Sequence, residues 1–279
     1  MNNLVIKRPD FRFAKDCLNA LTKLELKYLL IQNFFSEDET QTIVRDLRNL
    51  PPQLCTVVKP GFTVFPRQAF NIADPNENVN VYFSMSASET NNLKKSINVD
   101  VVERFNDVFK EINNAQTVEV LNGPDNGTRF VPVNFRLLTP EGGGLKAASI
   151  IHNGSNITAR CANSTYKHLN GVIDFDNQLS FFSLLQNADA GGDLTIYDFK
   201  RDDYPAIAEN RYISKPDGSR VDLETTTKKC TVHMEPGDLI IFPGGQLWHR
   251  VEVVTKGERI SLGGFTAKRY SDNSWHYWI

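Results

Sequence analysis

The spacing of hydrophobic positions changes partway along the chain. Up to about residue 123, helical spacing is mixed with strand-like stretches. In Asn33-Phe34-Phe35-Ser36-Glu37-Asp38-Glu39, Ser36 has the chemistry of a helix N-cap and Glu39 stands at the capping-box position. Acidic residues fill the first turn, and Ile43, Leu47 and Leu50 follow at helical spacing. A second amphipathic helix is predicted over about 101–112, with Val102, Phe105, Val108 and Phe109 on one face. Both helices are expected to buttress a sheet.

From about Val131 short apolar runs alternate with turns. Val133–Leu138, Ala147–His152, Leu179–Leu185, Asp193–Tyr197, Cys230–His233, Leu239–Phe242, Leu247–Val253 and Arg259–Phe265 read as strands of four to seven residues. Pro140-Glu141-Gly142-Gly143-Gly144, Gly191-Gly192, Pro236-Gly237-Asp238 and Pro243-Gly244-Gly245 separate them. Eight short strands with such turns predict an α+β, mainly β architecture. Its core is a double-stranded β-helix (a cupin-like jelly roll), buttressed by N-terminal helices. The expected organisation is one domain over 1–279, with 1–123 as support and 124–279 as the core. The polar, charge-rich segment between Asp198 and Thr227 reads as an irregular excursion or a lid.

Composition narrows the function classes. The chain of 279 residues is 41% hydrophobic and 23% charged, ordinary for a globular protein. A net charge of −2 without a basic stripe gives no footprint for nucleic acid. No run approaches the roughly 18 apolar residues of a membrane helix. Met1 to Phe11 carries Lys7, Arg8 and Asp10 but no apolar run, so no signal peptide is expected and the expected location is cytoplasmic. Cys17, Cys55, Cys161 and Cys230 lack metal-ligand spacing and are expected to be reduced thiols.

The candidate chemistry lies among five histidines. Non-haem iron sites commonly use two histidines and a carboxylate, and H-x-D/E on a strand presents two ligands to one face. The one such triplet, His233-Met234-Glu235, runs straight into a turn and lies too close to the next histidine for the opposite strand to come round. His168 is followed by Leu169 and Asn170, and an amide replaces a carboxylate poorly. His276 sits in Trp275-His276-Tyr277-Trp278, read as a packing segment. His249 differs. In Leu247-Trp248-His249-Arg250-Val251-Glu252-Val253 it shares a face with Val251 and Val253, which a core histidine would also do. Ten residues later, Arg259 and Ser261 share a strand face. A guanidinium aimed into a cavity needs an anionic partner, and the distal carboxylate of 2-oxoglutarate supplies one. Upstream, Ile150, His152 and Gly154 alternate onto one face. The position where a carboxylate would stand is glycine, which leaves a coordination position open to an anion such as chloride. The plain alternative is a strand that ends at His152 and turns at Gly154.

The region from about Pro124 to Ile279 closely resembles the carrier-independent iron/2-oxoglutarate halogenases that act on hapalindole- and welwitindolinone-type alkaloids. The resemblance is carried by His152-Asn153-Gly154, Asp176-Asn177-Gln178-Leu179-Ser180-Phe181-Phe182 and Ala190-Gly191-Gly192-Asp193-Leu194-Thr195-Ile196-Tyr197. It continues through Gly245 to Val251, Arg259-Ile260-Ser261-Leu262-Gly263-Gly264-Phe265 and Tyr277-Trp278. It implies His152 and His249 as iron(II) ligands, Gly154 as the halide position and Arg259 as the 2-oxoglutarate anchor with Ser261 as helper. It also implies Ser180 as a cavity serine that orients the reactive oxygen. Asn153 departs from the apolar residue the family shows there, and a short insertion lies between His152 and Gln178.

The expected activity is halogenation of an unactivated aliphatic C–H bond of a free small molecule such as an indole alkaloid. Iron(II), 2-oxoglutarate and chloride are the expected cofactors, with O2 as co-substrate. No carrier-protein docking surface is evident. The aromatic residues Phe181, Phe182 and Trp248 are expected around an apolar substrate. The rivals are a hydroxylase of the same fold and a non-catalytic, cupin-like binding protein.

Overall fold

The chain begins with strand β1 (Asn2–Lys7), helix α1 (Cys17–Thr22), strand β2 (Leu26–Gln32) and helix α2 (Glu37–Arg48). The hairpin β3 (Thr56–Lys59) and β4 (Phe62–Phe65), helices α3 (Val79–Ser96) and α4 (Val101–Ile112), and strands β5 (Glu119–Val120) and β6 (Asn134–Leu138) follow. Then come β7 (Leu179–Gln186), β8 (Leu194–Lys200), β9 (Ala206–Ala208), β10 (Tyr212–Ser214) and β11 (Arg220–Asp222). The chain closes with β12 (Lys229–Val232), β13 (Leu239–Phe242), β14 (Leu247–Val251), β15 (Arg259–Lys268) and β16 (Trp275–Trp278). The structure, a computed structural model, describes residues 1–8, 10–11, 14–66, 79–125, 127–140, 151–153, 169, 171–200, 206–208, 212–214, 217–223 and 225–279.

The main sheet has the order β1-β2-β13-β7-β15-β6-β4-β3, with β16 continuing along β15 and β5 pairing β16. A smaller sheet, β12-β8-β14, faces it, and β11-β10-β9 form a third. The jelly roll and its helical buttress are therefore as expected. The first sixty-five residues, however, also supply four strands of the main sheet, which the helical spacing alone did not announce. Observed strand ends differ as well. β8 runs on to Lys200, β15 runs on to Lys268, and β14 stops at Val251.

Strand β7 explains the layering. Its sequence, Leu-Ser-Phe-Phe-Ser-Leu-Leu-Gln, is nearly continuously apolar because both faces are covered. Leu179, Phe181 and Leu185 point into one cluster with Leu18, Ile43, Phe105 and Phe109 from α1, α2 and α4. Phe182 and Leu184 point the other way, into a cluster with Leu194, Ile196, Val232, Ile240, Phe242 and Leu247 between the two sheets. Phe181 is locked on the helical side by Phe105 and Phe109, at ring-centroid distances of 5.1 and 5.0 Å.

Local chemistry fixes the helices that hold this layer. The Ser36 hydroxyl accepts the Glu39 N–H at 3.2 Å, and Glu39 accepts the Ser36 N–H at 2.8 Å, completing the capping box. Asp100 caps α4 by accepting the Glu103 N–H. Between β2 and α2, the chain is tied to the turn before β13. The buried Asp238 carboxylate accepts the N–H groups of Asn33 and Glu235, both at 3.0 Å. Gly237 takes φ +96°, and a Cβ there would lie 2.4 Å from the Phe35 carbonyl oxygen.

Asp238→Ala should orphan two backbone donors and lower stability by about 2–4 kcal/mol, read as a shifted urea midpoint. A loss within about 0.5 kcal/mol would show that the tie carries no weight.

Candidate active site

Strand β14 presents alternate residues to opposite faces. Trp248 faces away from the space between the sheets, into an apolar cluster with Ile151, Tyr197, Phe199 and Leu223. Leu247 faces the intersheet core, and His249 lies against Phe242 of the main sheet, with ring centroids 4.8 Å apart. The His249 Nδ1–H donates to the Leu247 carbonyl at 3.0 Å. A carbonyl can only accept, so Nδ1 carries the proton and Nε2 keeps its lone pair free for a metal.

His152 lies directly opposite. The two residues form an isolated antiparallel bridge. His152 N–H donates to the His249 carbonyl at 3.0 Å, and His249 N–H donates back at 2.9 Å. Directly opposed residues of an antiparallel pair project to the same face. Their rings accordingly meet at 4.4 Å between centroids, tilted by 55°. Burial, reinforced by the nearby His152 and Arg136, holds the His249 pKa well below the usual imidazole value, against an opposing pull from the Leu247 hydrogen bond. Two neutral imidazoles at this spacing can grip one divalent ion.

The opposite wall comes from the inner face of the main sheet. Arg259 and Ser261, two residues apart on β15, are both buried, and Arg259 Nη1 donates to the Ser261 hydroxyl at 3.0 Å. The guanidinium carbon lies 5.0 Å from the centre of the Phe182 ring. Burial lowers the Arg259 pKa to about 10, with Arg136 acting in the same direction and Asp193 opposing. Arg259 stays cationic at neutral pH, yet among the described residues no carboxylate forms an ion pair with it. A buried guanidinium so placed is suited to a carboxylate guest.

Ser180 on β7 pairs with Phe242 and Phe265 on its flanking strands. Its hydroxyl is buried and has no hydrogen-bond partner. Beside it, Gly244 follows β13. A Cβ on Gly244 would sit 2.1 Å from Ser180 Oγ and 3.3 Å from His249 Cε1. Glycine here lets the hydroxyl and the imidazole converge on one point.

Arg136, opposite Ser261 on β6, is a member of this wall that the sequence reading missed. Its Nε donates to Asn134 at 3.2 Å, and its guanidinium carbon lies 5.8 Å from the Phe265 ring centre. The signal was the alternation of Asn134, Arg136 and Leu138 against the outward Phe135.

Phe181 and Trp248, expected around the substrate, do not line this space. Phe181 faces the helices, and Trp248 faces the outside of the smaller sheet, because each alternates with a residue that points in. Gly154, His168 and most of the predicted strand Ala147–His152 lie outside the described residues. His233 is exposed and lies 3.5 Å from Asp193, while His276 is buried in β16 against the Ser274 hydroxyl. Cys17, Cys55 and Cys230 are free. Among the described residues no group of three or more His, Cys, Asp or Glu could hold a metal, so His152 and His249 stand as a pair.

The architecture is shared with a solved N-substituted L-amino acid dioxygenase from Burkholderia ambifaria AMMD. That likeness has a TM-score of 0.56 at 16% identity and covers 94% of this chain and 90% of that one. The same dioxygenase in complex with alpha-KG matches with a TM-score of 0.54, again at 16% identity over 94% and 90%. No curated protein matches the chain. The fold is thus one shared with that dioxygenase. The family model described as carrier-protein-independent halogenase WelO5 matches residues 2–279, and the chain belongs to that family.

Gly244→Ala should destabilise the protein by about 1–3 kcal/mol through its collision with Ser180. Removing the hydroxyl with Ser180→Ala in the same chain should recover part of that loss, giving a coupling of about 0.5–3 kcal/mol in a denaturation double-mutant cycle. Strictly additive losses would mean that another contact requires glycine at 244.

Proposed function

We propose that this enzyme is a halogenase that chlorinates an unactivated aliphatic C–H bond of a free, largely apolar small molecule. Its metal site is made of His152 and His249 without a protein carboxylate. The observation that carries the reading is the reciprocal backbone bridge that sets the two imidazoles side by side. Family membership supports a carrier-independent substrate, and the family resemblance of the sequence brings an indole alkaloid into the proposal as its type.

The donor set fits iron(II). His249 has its Nδ1 proton committed to the Leu247 carbonyl, which leaves Nε2 to coordinate. His152 and His249 would hold iron(II), which with 2-oxoglutarate and oxygen would supply the oxidising power to take hydrogen from a C–H bond. Arg259, buried without an acidic partner, would hold the distal carboxylate of 2-oxoglutarate and fix its orientation, with Ser261 steadying the guanidinium fork. Gly154, which has no side chain to coordinate with, would leave room beside the metal for a halide. The orphaned Ser180 hydroxyl would offer its hydrogen bond to a guest bound beside His249. Phe242 and Phe265 give the inner wall an apolar character suited to an apolar guest.

Anaerobic titration with iron(II) and 2-oxoglutarate should give a visible absorption band that His249→Ala abolishes. Arg259→Gln should weaken 2-oxoglutarate binding about tenfold to a hundredfold, in proportion to a lost charge-assisted contact. No band in the parent protein would end the metal-site reading and favour a silent binding protein. With oxygen and chloride or bromide added, mass spectrometry over a panel of alkaloids should show halogenated product. Hydroxylated product alone under every halide condition would favour the hydroxylase.

Gly154→Asp should supply the missing carboxylate and shift the product from halogenated to hydroxylated. Halogenation persisting undiminished in that variant would contradict the assignment of position 154.

A further inference from the structure

We infer that Leu223 is a positioning residue for the metal-holding pair, acting through Ile151 and Trp248. The inference rests on the reading of His152 and His249 as metal ligands, and it assigns a role to part of the segment between Asp198 and Thr227.

His152 is joined to β14 by an isolated bridge of two backbone hydrogen bonds. The residue before each histidine alternates to the opposite face, and this is where the second hold lies. Ile151 and Trp248 are 2% and 1% exposed and share one apolar cluster with Tyr197, Phe199 and Leu223. The Trp248 indole N–H has no hydrogen-bond partner, so shape alone seats that ring. Leu223 directly follows β11, is fully buried, and brings the half-buried Val221 against the same cluster.

Leu223 therefore covers the back of the smaller sheet, on the face opposite the imidazoles. It packs behind the site instead of over its mouth. With Leu223 in place, Ile151 and Trp248 cannot slide past one another, and the bridge that aligns the two rings keeps its register. Without it, a void opens behind both ligands and the pair loses its fixed spacing.

The test is cobalt(II) binding to the full chain, followed by the visible ligand-field spectrum and by titration. Leu223→Ala should weaken cobalt(II) affinity about tenfold or more, the size expected when support behind a ligand is lost. It should also alter the spectrum, and Leu223→Met should restore both. Ile43→Ala, a cavity of similar kind in the helical cluster on the far side of the main sheet, should lower the melting temperature comparably while leaving the affinity within about twofold. Should Leu223→Ala fail to fold, Leu223→Val carries the same comparison. Affinity and spectrum unchanged in the Leu223 variants, or weakened equally by Ile43→Ala, would overturn the role of Leu223. His249→Ala is the control for the underlying site. If it binds cobalt(II) as the parent does, the metal-site reading fails, and the positioning role fails with it.

Discussion

The candidate site of this molecule depends on a two-residue contact in which His152 and His249 trade backbone hydrogen bonds. The reciprocal exchange forces both side chains to one face. A slip of one residue would send one imidazole to the outside of the sheet and bring Ile151 or Trp248 in. Packing in front of and behind the bridge can be understood as protection against that slip. Phe242 abuts the His249 ring from the main sheet, and the Ile151–Trp248 cluster closes the back.

Electrostatics gives the cavity a consistent sign. Burial favours the neutral imidazole at His249, and Arg259 and Arg136 contribute positive charge from the facing wall. Arg136 lowers the pKa of both His249 and Arg259, so these groups sense one another across the space. With water largely excluded, such charges interact more strongly than at the surface. Anions are the natural guests of this arrangement, and under the proposed reading they are the carboxylates of 2-oxoglutarate and a halide. A protein carboxylate at the metal would cancel part of that attraction. Under that reading, the glycine at 154 and an Arg259 that forms no ion pair among the described residues are two aspects of one charge balance.

Much of the core could be read from the sequence because its strands are bounded by Gly/Pro turns and because alternation is strict in Leu247–Val251 and Arg259–Ser261. The capped helix at Ser36 was equally plain, since capping needs only local residues. The strands near the N-terminus were hidden for a physical reason. β2, Leu-Lys-Tyr-Leu-Leu-Ile-Gln, is covered on both faces over its buried half, so its apolar run has no period to announce a strand. Arg136 stayed hidden because a lone arginine between apolar residues looks like any edge-strand charge until its pairing with Ser261 shows which way it points. Phe181 and Trp248 were misplaced by proximity in sequence. On a strand the neighbour of an inward residue is, by geometry, an outward one.

Three features of the cavity oppose stability in the unliganded chain. Among the described residues the buried Ser180 hydroxyl has no hydrogen-bond partner, the buried Arg259 forms no ion pair, and two imidazoles face each other at 4.4 Å. An unmet hydroxyl alone costs about 1–3 kcal/mol, and an unpaired buried guanidinium more. Each is retained although an ordinary substitution would relieve it, and all three lie within one inward-facing patch of two facing sheets. Under the proposed reading a bound guest would satisfy all three, with a metal at the imidazoles and a carboxylate at the guanidinium. Several such departures from local rules gathered in one inward-facing patch mark it as a candidate site of function. The surrounding fold bears the cost, through the aromatic packing of Phe105, Phe109 and Phe181 on one face and the closed back of the smaller sheet on the other. The destabilised patch and the rigid frame are therefore one design, since such a cavity stays open only if nothing around it can collapse to fill it.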